Sequence, residues 1–359
     1  MTYQELATFA NYALYSAMGV LTLAMLAYAG YLAGLMPARS ERREAARERS
    51  LVGAAAGGTA ATEIGTETET GTGTGIRIEA GAGSGSALAE GRPSRVSGRG
   101  PVDVDRDQGV SAGARKLGGI AITLTWLSTG LLGLSVLLRG LSVQRAPLGN
   151  LFEFAVTACL AALIAFAVWS TRRDLRWLGL FVVTPVLLVL GVALVSWYTE
   201  AAELMPSLQS YWLVIHVTVA VLASAVFFIG AMTGILYLWQ DSVERSGATS
   251  VLNRFPPSRT LERLTYGLHV VAFPLWTFTL IAGAIWARQA WASYWNWDPK
   301  EVWTFIIWVV YAAYLHARVT SGWSKQRATW IALAGFVCII INYTVVNLFF
   351  VGQHSYSGL

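Results

Sequence analysis

The chain has 359 residues, of which 55% are hydrophobic and only 13% charged, and its mean hydropathy is +0.50. A soluble globule carries about twice that charge, so a cytosolic enzyme and a simple secreted domain are excluded in favour of a membrane protein with several helical spans. The formal charge of +5 does not indicate nucleic-acid binding, because the basic residues gather in short segments between apolar runs, where they set orientation.

In chain order, apolar windows fall near 9–36, 117–138, 151–170, 177–196, 211–239, 266–287, 303–317 and 328–351. They predict an all-α, polytopic membrane helix bundle of about eight transmembrane helices. The first window lacks a basic leader and is long, so residues 1–36 read as an N-terminal transmembrane helix rather than a cleaved signal peptide. Residues 37–115 are rich in Gly, Ala, Thr, Glu and Arg, with Thr66-Glu67-Thr68-Glu69-Thr70 followed by Gly71-Thr72-Gly73-Thr74-Gly75. Such composition cannot build a core and predicts a disordered cytoplasmic linker. The main transmembrane domain then spans 116–359, with an external segment at 288–303.

Orientation follows from Lys and Arg. Basic clusters at Arg39–Arg49, Arg115–Lys116, Arg172–Arg176, Arg245–Arg263 and Arg318–Arg327 occupy alternate loops. Between them, Trp197–Ser210 carries Glu200 and Glu203 with no Lys or Arg, and the segment after Val351 carries none. The positive-inside rule therefore predicts a multi-pass protein of the plasma membrane with both termini outside.

Cys159 and Cys338 each lie inside an apolar run with no C-x-x-C partner, so both read as small buried hydrophobes. No Cys-x-x-Cys-His occurs, which excludes an ordinary c-type cytochrome. The chain has four histidines, and ionisable or metal-binding groups at membrane depth are functional candidates. His216 falls at the outer start of the fifth span and His354 beyond the eighth, also outside. They either supply both axial positions of one haem iron or are two unrelated interfacial histidines. His316, about 20 Å down the seventh span, and His269, entering the sixth from the cytoplasmic side, form a second level. His269 reads as a hydrogen-bonded helix histidine.

The densest signal is Trp291-Ala-Ser-Tyr-Trp295-Asn-Trp297-Asp298-Pro299-Lys300-Glu301-Val-Trp303. An aromatic belt at the membrane interface is the plain reading. The concentration exceeds that expectation, and it suits haem: indoles cover apolar faces, while Lys300 or Arg288 can meet the anionic propionate edge. Asp298, Pro299 and Glu301 also form a capping box that opens a helix. Gly230 and Gly234, four residues apart, read as close helix packing.

With these residues assembled, the chain resembles the haem-handling superfamily of cytochrome c biogenesis proteins of the CcsA/ResC type, called CcsB in some bacteria. Trp291, Trp295, Trp297 and Asp298 match its WWD signature, and Ala292 stands where that signature usually carries Gly. Gly-Ala-Ile-Trp-Ala at 283–287, Tyr-Leu-His-Ala-Arg at 314–318, Pro-Leu-Gly-Asn-Leu-Phe-Glu at 147–153, Pro-Ser-Leu-Gln-Ser-Tyr-Trp-Leu at 206–213 and His354-Ser-Tyr match as well. The likeness covers roughly 115–359.

The resemblance implies that haem b, as both substrate and bound ligand, crosses the membrane and is held outside for attachment to an apocytochrome c bearing Cys-x-x-Cys-His. It gives His216 and His354 as external ligands, His316 as an intramembrane ligand, and Trp291, Trp295, Trp297 and Asp298 as the haem-binding segment. It also implies a ResB-type membrane partner and a role as the membrane subunit of a cytochrome c synthetase. The alternative from the residues is a b-type haem membrane electron carrier. A cofactor-free transporter leaves the histidines unexplained.

Overall fold

The computed structural model describes residues 2–35, 111–202, 209–247 and 254–354. Among them are eight helices long and apolar enough to cross a membrane, and the chain is a multi-pass membrane protein. They are α1 (Tyr3–Gly34), α2 (Ala112–Ser142), α3 (Leu151–Arg172), α4 (Arg176–Ser196), α5 (Tyr211–Ser246), α6 (Ser258–Trp291), α7 (Pro299–Val319) and α8 (Lys325–Tyr343). A short α9 (Val345–Phe349) follows. The predicted linker lies outside the described residues except at 111–115, where Ser111 caps the start of α2.

The ends of these helices are written in the local sequence. Thr2 and Glu5 form a capping box at α1, and Asp298 and Glu301 form another at α7 with Pro299 in the first turn. Side-chain caps from Asn150, Ser210 and Ser324 open α3, α5 and α8. The last predicted span is broken: α8 stops at Tyr343, α9 is one short turn, and Phe350 is extended. Thr344 leaves regular helical geometry there, and the Asn347 amide donates to the Tyr343 carbonyl, a side-chain bond that competes with helix continuation.

Packing follows small residues, as expected where lipid removes the hydrophobic drive between helices. α1 lies along α2, and α5 along α6. On α6 the buried stripe runs Leu261, Thr265, His269, Ala272, Trp276, Thr279, Ala282 and Trp286, the three-and-four spacing of one helical face. α5 answers it with Ala220, Ala223, Gly230, Ala231 and Gly234.

Gly230 does more than let two backbones approach. A Cβ there would stand 2.7 Å from Cε1 of His269, so this glycine makes room for a ring. His269 is buried among Phe227, Tyr311 and Tyr314, and its Nδ1 is 2.7 Å from the carbonyl of Thr265. It is the hydrogen-bonded helix histidine the sequence suggests.

The Pro147–Glu153 motif forms the turn between α2 and α3. The Glu153 carboxylate, fully buried, accepts from Arg139 at 3.0 Å, from Arg145 at 2.8 Å and from the Gly149 N–H at 2.8 Å. Arg139 and Arg145 also donate to the carbonyls of Thr199 and Ala202. One buried and one partly buried cation at the end of the bundle where α1 begins are thus bound to one carboxylate and to backbone, and such satisfaction is what makes buried charge tolerable.

Candidate functional site

At that same end, α5, α6, α7 and the segment after α9 converge on an apolar cavity of about 620 Å³, within the range of small-molecule sites. Its wall includes His216, His354, Trp286, Trp295, Lys300 and Glu301. It continues along α3, α5 and α8 past Cys159, Phe228, Met232 and Phe336.

One face of α6 builds the seat for His216. Thr279, Gly283 and Trp286 are spaced four and three residues apart and so point the same way. The Thr279 carbonyl lies 2.9 Å from His216 Nδ1. A carbonyl only accepts, so Nδ1 carries the proton and the Nε2 lone pair is left free. Gly283 clears space: a Cβ would sit 2.7 Å from Cε1 of His216. Trp286 stacks on the ring at 6.1 Å and 14°. Replacing Gly283 by Ala should therefore push the imidazole off its seat, at the overpacking cost of ~1–3 kcal/mol in a filled site, and lower the melting temperature. An unchanged melting temperature in that variant would show that the ring tolerates the shift.

His354 packs edge-on against Trp286, at 5.7 Å and 63°, and against Trp291, at 4.7 Å and 71°. Its Nδ1 is 2.9 Å from Oδ1 of Asp298, which again leaves Nε2 free. The second oxygen of Asp298 accepts from the Gln353 N–H at 2.6 Å, and the first also from the Lys300 N–H at 3.0 Å. Burial pushes the Asp298 carboxyl up. The hydrogen bond from His354, with the two backbone N–H groups, outweighs it and holds the carboxyl below its ordinary range. Asp298 thus caps α7 and orients His354 through one carboxylate.

The expected site residues are not all gathered here. His216, His354 and Trp295 line the cavity, whereas Trp291 reaches it through His354 and Trp286. Trp297 is 77% exposed and touches Trp295 edge-on at 5.9 Å; it is not on the cavity wall. His316 is exposed on α7 and outside the cavity, and the rings packed on His269 are Phe227, Tyr311 and Tyr314 instead. Ala292 closes α6 in the left-handed region, φ 61°, a conformation that glycine adopts at lower cost.

The residue that sequence reasoning passed over is Trp286. It is 2% exposed, joins both histidines, and its Nε1 has no partner among the described residues. Its signal was the spacing of Gly283 and Trp286 on one helical face. Glu301 Oε1 and Asn342 Oδ1, also on the cavity wall, are likewise buried without a partner. Unsatisfied buried polar atoms around an apolar cavity point to a ligand with polar edges. Two imidazoles with free Nε2 atoms suit a metal that brings its other ligands with it, and the residues present fit haem.

The chain is also similar in sequence to known proteins. Residues 124–354 match the family described as Cytochrome C assembly protein. The chain is 36% identical over 232 residues to the cytochrome c biogenesis protein CcsA of Guillardia theta, covering 59% of this chain and 77% of that protein. It is 36% identical over 257 residues to CcsA of Chlamydomonas reinhardtii (69% and 72%) and 34% over 278 residues to CcsA of Parasynechococcus marenigrum (69% and 89%).

Proposed function

Because the chain belongs to the Cytochrome C assembly protein family, and so to cytochrome c biogenesis, we propose that its part there is to hold haem b outside the membrane for attachment to apocytochrome c. The observation that carries this reading is the pair His216 and His354, both packed on Trp286 at the wall of one apolar cavity with Nδ1 committed and Nε2 free. The two imidazoles would hold the haem iron through their Nε2 atoms. Trp286, Trp291 and Trp295 cover the haem and its ligands from water.

The chemistry asked of the site is modest. A cysteine S–H adds across a haem vinyl C=C: the S–H bond breaks, a C–S and a C–H bond form, and no electrons leave or enter. Such a step gains most from proximity and orientation. The apocytochrome histidine then replaces one of the two imidazoles on the iron.

His316, exposed on α7 toward the opposite end of the bundle, takes part in an inner haem site whose other ligand comes from a ResB-type partner. Its exposure supports that reading, since a ligand completed by another protein must face outward. The basic loops at that end support a cytoplasmic location for it. In intact cells an impermeant thiol reagent should label Tyr3→Cys and leave Ser321→Cys unmodified; the reverse pattern would overturn the orientation.

The function itself is tested by expressing the chain with and without a ResB-type partner and an apocytochrome reporter, and recording visible spectra of the purified protein. Covalent haem on the reporter together with a bis-histidine spectrum is expected. A redox-active haem with no effect on the reporter would favour a b-type electron carrier, and no haem at all would favour a transporter.

A further inference from the structure

Among the described residues, Lys300 is the only Lys or Arg on the cavity wall. Its backbone N–H is committed to Asp298, while its ammonium has no hydrogen bond or ion pair among the described residues. The ammonium lies within electrostatic reach of His216 and of Asp298. Of the nearby carboxylates, Asp298 is engaged through both oxygens, and Glu301 through Oε2 only, its Oε1 having no partner among the described residues. Asp298 is bound to His354, Gln353 and Lys300 N–H, and Glu301 Oε2 accepts from the N–H groups of Asn296 at 2.8 Å and Asp298 at 3.2 Å. Arg288, the other candidate cation of this segment, donates to the Ala292 carbonyl at 2.8 Å and is off the cavity wall.

An ammonium left uncommitted in an apolar cavity is costly unless a ligand brings the counter-charge. We infer that Lys300 is the anchor for a carboxylate of the cavity's ligand, and that it fixes which edge of that ligand faces α7. The inference rests on the haem reading, in which the carboxylate is a propionate and the vinyl edge is thereby turned away from Lys300. Lys300 is then a positioning residue. It sets the in-plane rotation of a disc whose axial bonds alone leave that rotation free.

The test uses the full chain purified in detergent, titrated with haem and with haem dimethyl ester, whose propionates carry no charge. Wild type should bind haem about tenfold or more tightly than the ester, as expected for a charge-assisted bond. Lys300→Gln should lose that preference through weaker haem binding alone, with ester affinity and the bis-histidine spectrum unchanged. Lys300→Arg should keep the preference. Equal binding of acid and ester by wild type, which needs no variant to fold, overturns the inference, as does an undiminished preference in Lys300→Gln. Failure of wild type to bind either ligand removes the haem reading itself, and this inference with it.

Discussion

Glycine in place of His216 or His354 should lower cytochrome c maturation by more than the ~10–100-fold that loss of an orienting partner costs a metal site, and added imidazole should restore part of it. Each side chain offers one free Nε2, held in place by a bond at Nδ1, to the Thr279 carbonyl for His216 and to Asp298 for His354. Removing the ring leaves an opening bounded by Trp286 and, for His354, by Trp291. Neutral imidazole has the shape and the lone pair to fill it. Trp286→Ala should also reduce haem retention, because an indole touching both histidines is lost, but a small ligand cannot replace that packed face. Covalent haem on a reporter cytochrome, measured with and without imidazole, separates the two cases. Normal maturation in both glycine variants would refute the outer bis-histidine site.

The spans were legible because apolar runs of bilayer length have few other uses, and the capping box at Asp298 because its residue types sit at fixed offsets. The pairing of His216 with His354 was one of two readings that topology left open, since both fall at one end of the bundle, and the family resemblance favoured it. What the sequence could not show was how α6 faces α5. Thr279, Gly283 and Trp286 look like ordinary helix residues until His216 is set against them. Trp297 stands apart from the cavity wall for a related reason: indoles crowded along a chain do not share a face where the backbone turns left-handed, as at Ala292 and Trp297 itself, φ 61° and 58°. The role of Glu153 was equally hidden, because Arg139, Arg145 and Gly149 reach it only once the α2–α3 turn has closed.

Asp298 separates structure from chemistry within one side chain, and its variants should divide accordingly. Asp298→Ala removes the cap of α7, the acceptor for Gln353 and the partner of His354 together. The cap alone is worth about 1 kcal/mol, so this variant should lose thermal stability as well as maturation. Asp298→Asn keeps a good cap and an acceptor oxygen but takes the negative charge from His354 Nδ1. A carboxylate there holds the ring and raises the basicity of Nε2, and its loss typically costs ~10–100-fold in metal affinity. The asparagine variant should therefore lose less thermal stability than the alanine variant while haem affinity and maturation fall by that order. Because the folded carboxyl lies below its ordinary range, the ordering it contributes is complete at neutral pH and is lost only as pH falls through the folded value. The gap in apo-protein stability between wild type and Asp298→Ala should accordingly be full at neutral pH and narrow in acid. If Asp298→Asn binds haem and matures cytochrome as wild type does, Asp298 acts on α7 alone and His354 needs no charge behind it.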